Sequence, residues 1–334
     1  MAASFATEGH LTKSSMNWMQ KESFVSGISY SSLYERIAFM KKSFSTSLGS
    51  AYNQSIEEFL ESDTGRSLYG KVQLIFTSPP FPLVAPKKYG NLVGLEYLQW
   101  MQTISRGLTK LLKPNGSLVI EIGNCWNKGF PTMSLLPLQT LMSIAEIDNL
   151  KVCQQFVWHN TAKLPGPATW VNIKRERVTD SFTHIWWYSP SEHPKANNRR
   201  VLQPYKDGMK RLLKSQKYNS GNRASGHKIS DSGFLNVNKG AIPSSAILMA
   251  NTAVDRNYRN WCRENKIVLH PARMPIGLAD FFIKFLTTPG DLVLDPFGGS
   301  CTTGKSAEDL KRKWICVEQN AEYLRGAKGR FHKG

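Results

Sequence analysis

Five consecutive residues, Thr77-Ser78-Pro79-Pro80-Phe81, place acceptor atoms and an aromatic ring directly after an apolar run. Two successive prolines end a strand, because neither has an N–H to donate to a neighbouring strand. They also hold the backbone extended, which fixes the Ser78 hydroxyl and the Pro79 carbonyl at the carboxyl end of the strand. Two acceptors beside an aromatic face suit a planar base that carries an exocyclic amine. The alternative is a Pro-Pro turn with Phe81 in the core.

A second candidate site is the glycine-rich segment Asp295-Pro296-Phe297-Gly298-Gly299-Ser300-Cys301-Thr302-Thr303-Gly304. It lies between a predicted strand and a predicted helix, where glycines let a ligand approach the backbone and the helix amino end favours a negative group. The next predicted strand ends in Glu318, 23 residues after Asp295. That spacing indicates a carboxylate that accepts both hydroxyl groups of a ribose, as in Rossmann-like sites.

The same turn also matches a nucleoside triphosphatase motif, because Gly299 to Ser306 fits the pattern GxxxxGK[ST]. Three observations oppose that interpretation. Only 28 residues follow Ser306, too few for the remaining strands of an ordinary P-loop domain. The acid Glu318 ends the very next strand, whereas a Walker B aspartate needs a strand of its own beside the P-loop. A P-loop also leaves Ser78 to Phe81 without a role.

The elements that must position these two turns alternate between strands and helices. Short apolar runs predict strands over Val72–Thr77, Ser117–Ile122, Val152–Trp158, His184–Tyr188, Leu292–Asp295 and Trp314–Val317. Helical periodicity is found over Ile56–Leu60, Leu95–Leu112, Leu278–Leu286 and Thr303–Lys311, and more weakly over Ser31–Lys42. This alternation predicts an α/β fold with a parallel, doubly wound sheet. If the strands ending at Thr77 and Asp295 are neighbours, their two turns face each other across one cleft.

Composition limits the class of partner. The 334 residues allow one large α/β domain and a smaller one, and 41% hydrophobic content suits a globular core. A formal charge of +18 indicates a polyanion, most simply nucleic acid. An acidic membrane surface is the competing partner, but it calls for a basic amphipathic helix or a lipid anchor, and the sequence has neither.

The five scattered cysteines include no CxxC pair, so we expect neither a zinc site nor a disulfide framework, and no metal. A reducing interior fits this pattern. No stretch approaches 18 apolar residues, and the amino terminus has no apolar signal region, so neither secretion nor a membrane span is expected.

Residues 191–266 differ in composition from the rest of the chain. The stretch from Lys195 to Gly240 holds 11 lysines and arginines against two acidic residues and is rich in Ser, Asn and Gly. A solvated insertion is one interpretation. The other, which the one-sided charge favours, is a surface that contacts phosphates and, through a few side chains, base edges.

Taken in order, several segments resemble the beta-group amino-methylating DNA methyltransferases, most closely the PvuII-type N4-cytosine methylases. They are Thr77–Phe81, Lys87-Lys88-Tyr89-Gly90-Asn91, Lys163-Leu164-Pro165, Trp170-Val171-Asn172, Trp186-Trp187-Tyr188-Ser189, Ser225-Gly226-His227, His270-Pro271-Ala272-Arg273-Met274-Pro275 and Phe297-Gly298-Gly299-Ser300. The resemblance covers roughly residues 50 to 330. One departure is Asn53-Gln54-Ser55, where relatives usually carry Gly-Asp-Ser near the adenine of the cofactor.

The resemblance implies a Rossmann-like methyltransferase sheet with a circularly permuted motif order. It divides the chain into an N-terminal extension (1–48), a catalytic half (49–190), a basic target-recognition region (191–266) and an S-adenosylmethionine half (267–334). The cofactor residues it implies are Asp295, Phe297, Gly298, Gly299, Ser300, Thr302, Glu318 and Arg273. The base-pocket and DNA residues it implies are Trp158, His159, Asn160, Ser225 and His227, for which a buried strand end and a local cap are the alternatives.

The catalytic residues expected on this basis are Ser78, Pro79, Pro80 and Phe81. The amine of cytosine is a weak nucleophile, so acceptors at Ser78 and Pro79 must orient it, and the base must leave the duplex to reach them. Carbon-5 methylation is not expected, because it needs a cysteine after a proline and none of the five cysteines follows one.

The product expected is N4-methylcytosine in double-stranded DNA. N6-adenine methylation is the nearest alternative, and a non-enzymatic DNA-binding protein is a third that tight S-adenosylmethionine binding would oppose. The resemblance also implies a prokaryotic, cytoplasmic enzyme that acts on DNA and protects it from a cognate restriction endonuclease.

Overall fold

The computed structural model describes residues 42–81, 92–252 and 255–332. The helix predicted over Ser31–Lys42 falls outside this part except for its last residue, and the segment Lys87–Asn91 falls outside it entirely. The strands are β1 (Lys42–Ser45), β2 (Gly49–Asn53), β3 (Val72–Thr77), β4 (Leu112–Gly123), β5 (Cys125–Trp126), β6 (Met133–Ser134), β7 (Lys151–His159), β8 (Phe182–Ser189), β9 (Gly221–Asn222), β10 (Lys228–Ile229), β11 (Ala246–Leu248), β12 (Leu292–Asp295) and β13 (Lys313–Glu318).

The α-helices begin and end close to the apolar periodicity where that periodicity is strong. They are α1 (Ile56–Glu61), α2 (Asp63–Ser67), α3 (Gly94–Leu111), α4 (Leu136–Ala145), α5 (Asp207–Ser215), α6 (Arg256–Glu264), α7 (Ile276–Leu286), α8 (Thr302–Asp309) and α9 (Ala321–Phe331). Short π and 3-10 turns cover Thr169–Ile173, Asn198–Arg200 and Gly233–Leu235. No helix among the described residues is long and apolar enough to cross a membrane.

Nine of the described strands form one sheet in the order β1-β2-β13-β12-β3-β4-β8-β7-β11. The α/β class is therefore confirmed. The prediction of a parallel sheet is wrong for β8, which is antiparallel to β4 and β7. The sequence did not predict β1, which is antiparallel to β2. The turn between β1 and β2 is too short for a crossover, and no α-helix separates β7 from β8 in the chain.

The order of the sheet shows the permutation directly. Strands β12 and β13 come from the end of the chain, yet they lie between β2 and β3 from its beginning. β12 is parallel to β3, with Val293 opposite Leu74 and Leu294 opposite Ile75. The carboxyl ends of these two strands consequently meet at one edge of the sheet, where ligands bind in α/β folds.

Burial explains why the central strands form. All six residues of β3 are buried, and Phe282 of α7 packs on its face with the rings of Phe76 and Phe282 5.1 Å apart. Helix α3 buries residues at helical spacing along one face, including Tyr97, Met101 and Ile104. Val72 is opposite Leu112 and Leu74 opposite Ser117, so the register shifts across residues 113–116 of β4, which form a bulge in the ladder with β3.

The predicted basic region contains α5, the β9–β10 hairpin, β11 and α6. β11 is the edge strand of the central sheet and is parallel to β7, with Ile247 opposite Trp158. This pairing brings the end of the basic region next to the strand that carries Trp158.

Candidate functional site

One cleft of about 540 Å³ opens at the carboxyl ends of β3 and β12. Its walls include both turns that the sequence singles out: Ser78, Pro79, Pro80 and Phe81 on one side, and Asp295, Phe297, Gly298, Gly299, Ser300, Thr302, Glu318 and Arg273 on the other. A hydrogen bond of 2.8 Å from Thr77 Oγ1 to Asp295 Oδ1 joins the two strand ends. Segments more than 200 residues apart in the chain therefore share one site.

The glycine-rich turn is organised around Asp295. Its Oδ1 also accepts from the Phe297 amide at 3.1 Å, and its Oδ2 accepts from Thr303 Oγ1 at 2.7 Å. Burial raises the pKa of Asp295, and the hydrogen bonds from Thr303 and Thr77 act in the opposite direction. Gly299 has a φ of 51°, which L side chains rarely adopt, so a glycine fits the turn that leads into α8.

Glu318 ends β13 and borders the same turn. Its Oε2 accepts from the Gly299 amide at 2.8 Å, and its Oε1 accepts from the Asn320 amide at 2.8 Å. Burial raises the pKa of Glu318 above its ordinary value, and these two amides oppose the rise. The two backbone bonds fix the orientation of the carboxylate at the cleft wall.

Ser78 has a partner that the sequence analysis did not identify. Its hydroxyl donates to Glu121 Oε2 at 2.5 Å, and Glu121 is 3% exposed near the end of β4. Burial raises the pKa of Glu121, while the hydrogen bond from Ser78 and the positive charge of Lys163 lower it. The available signal was a single carboxylate in the otherwise apolar run from Ser117 to Ile122.

Helix α3 also contributes side chains that no motif indicated. Tyr97 and Trp100 line the cleft, with the ring of Trp100 5.6 Å from that of Phe297. Trp100 Nε1 donates to Glu57 Oε1 at 2.6 Å, which fixes the indole. Their spacing predicted only an amphipathic helix, and nothing in that pattern distinguishes a cleft residue from a core residue.

Five residues that line the cleft, Gln54, Tyr97, Glu121, Thr183 and Arg273, each have a buried polar side-chain atom without a hydrogen-bond partner among the described residues. Two of these atoms are nitrogen donors. They are the side-chain amide nitrogen of Gln54 and Nη1 of Arg273. Both residues line the cleft. Because unsatisfied buried donors are costly, they mark positions where a polar ligand would be stabilised.

The structure brings two of the three predicted pocket-wall residues into the cleft. Trp158 and Asn160 line it, and Trp158 Nε1 donates to the Met249 carbonyl at 2.9 Å. His159 does not line it; its ring lies 3.4 Å from Ser181 Oγ. Successive residues of a strand point to opposite faces, so adjacent positions on β7 differ in this way.

Ser225 and His227 lie outside the cleft, in the exposed turn of the β9–β10 hairpin. The Arg223 amide donates to the His227 carbonyl at 2.8 Å, and Gly226 has a φ of 80°. The hairpin turn is thus closed by its own backbone.

The lysine and the hydroxyl residue of the GxxxxGK[ST] match, Lys305 and Ser306, bind other side chains and do not face the cleft. Lys305 forms an ion pair with Asp309 on α8, and the Ser306 hydroxyl donates to Asp280 on α7. Neither residue lines the cleft. Since a P-loop needs its lysine and hydroxyl at the phosphates, this segment is not arranged as one.

Comparisons with known proteins agree with this geometry. A family model described as DNA methylase matches residues 72–329. The type II methyltransferase M.PvuII of Proteus hauseri is 40% identical over 293 residues, which cover 87% of this chain and 86% of that protein. The type II methyltransferase M2.DpnII of Streptococcus pneumoniae is 24% identical over 300 residues, covering 84% and 91% of the two chains.

Solved structures give the same picture. The PvuII DNA methyltransferase (cytosine-N4-specific) superimposes with a TM-score of 0.71 at 34% identity, covering 88% of this chain and 90% of that one. The M1.HpyAVI–SAM complex gives a TM-score of 0.52 at 20% identity, covering 86% and 100%, which is a likeness of fold alone.

Proposed function

This chain belongs to the DNA methylase family, and from that membership we propose that it transfers the methyl group of S-adenosylmethionine to the N4 amine of cytosine in duplex DNA. The observation that carries the proposal is the shared cleft, where Thr77 and Asp295 join the acceptor turn to the glycine-rich turn through a 2.8 Å hydrogen bond. The similarity to M.PvuII favours cytosine as the base.

The cleft suits S-adenosylmethionine on several independent grounds. A volume of about 540 Å³ is within the range of small-molecule sites. Glu318 would accept the ribose hydroxyls, Gln54 and Phe297 would hold the adenine, and Arg273 has an unpaired donor for the amino-acid carboxylate. When bound, this cofactor supplies an electrophilic methyl group on a sulfonium.

Ser78 and Pro79 would orient the amine. The Ser78 hydroxyl donates to Glu121, which leaves its oxygen lone pairs for an N4–H of the base, and the Pro79 carbonyl can accept the other. Both acceptors stand where positive charge develops on nitrogen, so they stabilise the transition state more than the ground state. Pro80 restricts the backbone rotation next to these acceptors, because its ring fixes φ.

Glu121 would receive the proton that the methylated amine must release. The route runs from the amine nitrogen to the Ser78 oxygen while the Ser78 proton passes to Glu121, along the 2.5 Å hydrogen bond. A carboxylate whose pKa is raised by burial is a better proton acceptor than an exposed one.

DNA binding would combine base flipping with phosphate contacts. Phe81 lines the cleft beside Ser78 and offers a ring for the flipped base, and Trp158 and Asn160 would close the opposite wall. The basic region 191–266, including Ser225 and His227 on its exposed hairpin, would contact the duplex.

We assign the catalytic, DNA-binding and cofactor-binding roles to consecutive segments of the chain. Residues 49–190 would supply the catalytic half and 267–334 the cofactor half, with 191–266 between them. We propose that the enzyme methylates DNA in the cytoplasm of a prokaryote and thereby protects it from a cognate restriction endonuclease.

The test is product analysis of the wild-type enzyme. Duplex DNA is incubated with methyl-labelled S-adenosylmethionine, digested to nucleosides and analysed by mass spectrometry. Labelled N4-methylcytosine is the expected product. N6-methyladenine would keep the cofactor and overturn the base assignment, and the absence of any methylated nucleoside would overturn the proposed function.

A further inference from the structure

Gly123 is the last residue of β4 and lies under the ring of Phe81. It is buried and stands opposite Thr183 of β8. A Cβ atom built on Gly123 would lie 2.5 Å from Phe81 Cε2 and 2.9 Å from Cδ2. Carbon atoms in contact normally stay about 3.5–4.0 Å apart, so any side chain here must displace the ring.

The backbone at Gly123 gives no reason for a glycine. Its φ is not in the positive range, unlike that of Gly299 or Gly226, and the residue is part of a regular ladder with β8. A glycine inside a strand weakens it and often marks the close approach of another group. Here the group that approaches is the Phe81 ring, so the glycine is explained by the space the ring needs.

Phe81 cannot retreat easily by moving its backbone. Two prolines precede it with fixed φ angles, and Ser78 is tied to Glu121 at 2.5 Å. The ring is therefore confined between Gly123 and the cleft that it lines. Whatever sets the ring position on the Gly123 side also sets the width of the slot on the other side.

We propose that Gly123 is a positioning residue for base binding: its missing side chain seats the Phe81 ring deeply enough to leave a slot for the flipped base. This inference rests on the proposed function. A methyl group at Gly123 would push the ring about 1 Å into the slot, the difference between its normal contact distance and the available gap. The glycine-rich turn, which we propose binds the cofactor, lies on the other wall of the cleft and would be unaffected.

The experiment compares Gly123→Ala, Phe81→Ala and the double variant with the wild type. Gly123→Ala is expected to lower kcat/KM for duplex DNA by about 10- to 100-fold, since a 1 Å misplacement can cost that much. Its dissociation constant for S-adenosylmethionine, measured by calorimetry, should stay within about twofold of the wild type. In the Phe81→Ala background, Gly123→Ala should lower kcat/KM by less than about twofold, because the ring that the added methyl group would displace is absent.

Each outcome decides the inference. A Gly123→Ala enzyme with wild-type kcat/KM, or an equal loss in both backgrounds, would overturn it. If Gly123→Ala alone fails to fold, a double variant that folds and matches Phe81→Ala supports the proposal, and a double variant that also fails overturns it. A wild-type enzyme that methylates no DNA would instead defeat the proposed function, which separates the two failures.

Discussion

At the scale of single residues, the proposed function assigns the orientation and deprotonation of the amine to the Ser78–Glu121 pair. Glu121 is 3% exposed, and burial raises its pKa above the ordinary value of 4.5. A raised carboxyl pKa means that the folded state keeps a proton that the unfolded state releases. Its contribution to stability is therefore complete below about pH 4.5 and is lost as pH rises through the raised pKa.

Glu121→Gln separates these effects. Glutamine still accepts the Ser78 hydrogen bond but cannot take up a proton, so kcat should fall by about 100-fold or more while S-adenosylmethionine binds normally. The wild-type rate should rise with pH above 4.5 as Glu121 ionises, and the variant should lose that rise. The check is the pH profile of methyl transfer, with exposed Glu146→Gln as the control. Identical profiles for Glu121→Gln and wild type would contradict the assigned role.

The buried bond between Thr77 and Asp295 makes a second prediction at this scale. Thr77→Val keeps the side-chain shape but removes the donor to Asp295 Oδ1, so unfolding free energy should drop by about 1–3 kcal/mol. Thr103→Val, exposed on α3, should change it by less than about 0.5 kcal/mol. Urea unfolding measures both. Equal stabilities of the two variants would show that the bond does not hold the strand ends together.

At the scale of elements, α9 holds the glycine-rich turn through Arg330. The Arg330 side chain is 4% exposed and pairs with Asp255. It donates from Nε to the Ser300 carbonyl at 2.5 Å and from Nη2 to the Ser300 hydroxyl at 2.8 Å. The guanidinium also lies 4.5 Å from the ring centre of Tyr258. Helix α9 therefore fixes the position of Ser300 in the glycine-rich turn.

Arg330→Met should weaken S-adenosylmethionine binding by about 10-fold or more, because the turn loses two charge-assisted hydrogen bonds. Arg330→Lys should recover part of the loss. The matched control is Arg325→Met on the same helix, where the side chain is 56% exposed and forms an ion pair with Glu322. Calorimetric titration with the cofactor measures all three. Wild-type affinity in a folded Arg330→Met protein would refute this role.

The sequence predicted the strands that bear the site, because β3, β4, β12 and β13 are short apolar runs. It missed β2, which is only partly buried, and α9, where Gly326 and Gly329 interrupt the helical pattern. Those glycines have a tertiary cause: a Cβ on Gly329 would lie 2.3 Å from the Trp261 Cβ. Local patterns do not contain such contacts.

The same limit applies to the site. Both turns were predicted because their motifs are contiguous, and their proximity followed from the strand order. Glu121 and Trp100 were missed because each reaches the cleft through tertiary packing from an ordinary strand or helix. Lys305 fitted a phosphate-binding pattern, yet its ion pair with Asp309 directs it along its own helix.

At the scale of the whole molecule, the net charge of +18 predicts salt-sensitive DNA binding. Arg211 and Lys214 are exposed on α5 in the basic region. Replacing both with alanine should weaken binding and reduce the slope of log K against log salt by about 0.9 for each lost phosphate contact. Lys71 and Lys110 serve as controls. Both are exposed, and they lie at the amino end of β3 and the carboxyl end of α3, whereas the cleft opens at the carboxyl end of β3. The binding constants are measured by fluorescence anisotropy. Equal slopes of log K against log salt for the two double variants would show that α5 does not contact the DNA.

The central claim is that one cleft brings cofactor and base together at Ser78. The most direct measurement is single-turnover methyl transfer to duplex DNA by wild type and Ser78→Ala, with S-adenosylmethionine affinity measured in parallel. The claim predicts a transfer rate at least about 100-fold lower for Ser78→Ala with unchanged cofactor affinity, since the variant removes an acceptor placed at the developing charge. Transfer by Ser78→Ala at the wild-type rate would contradict it.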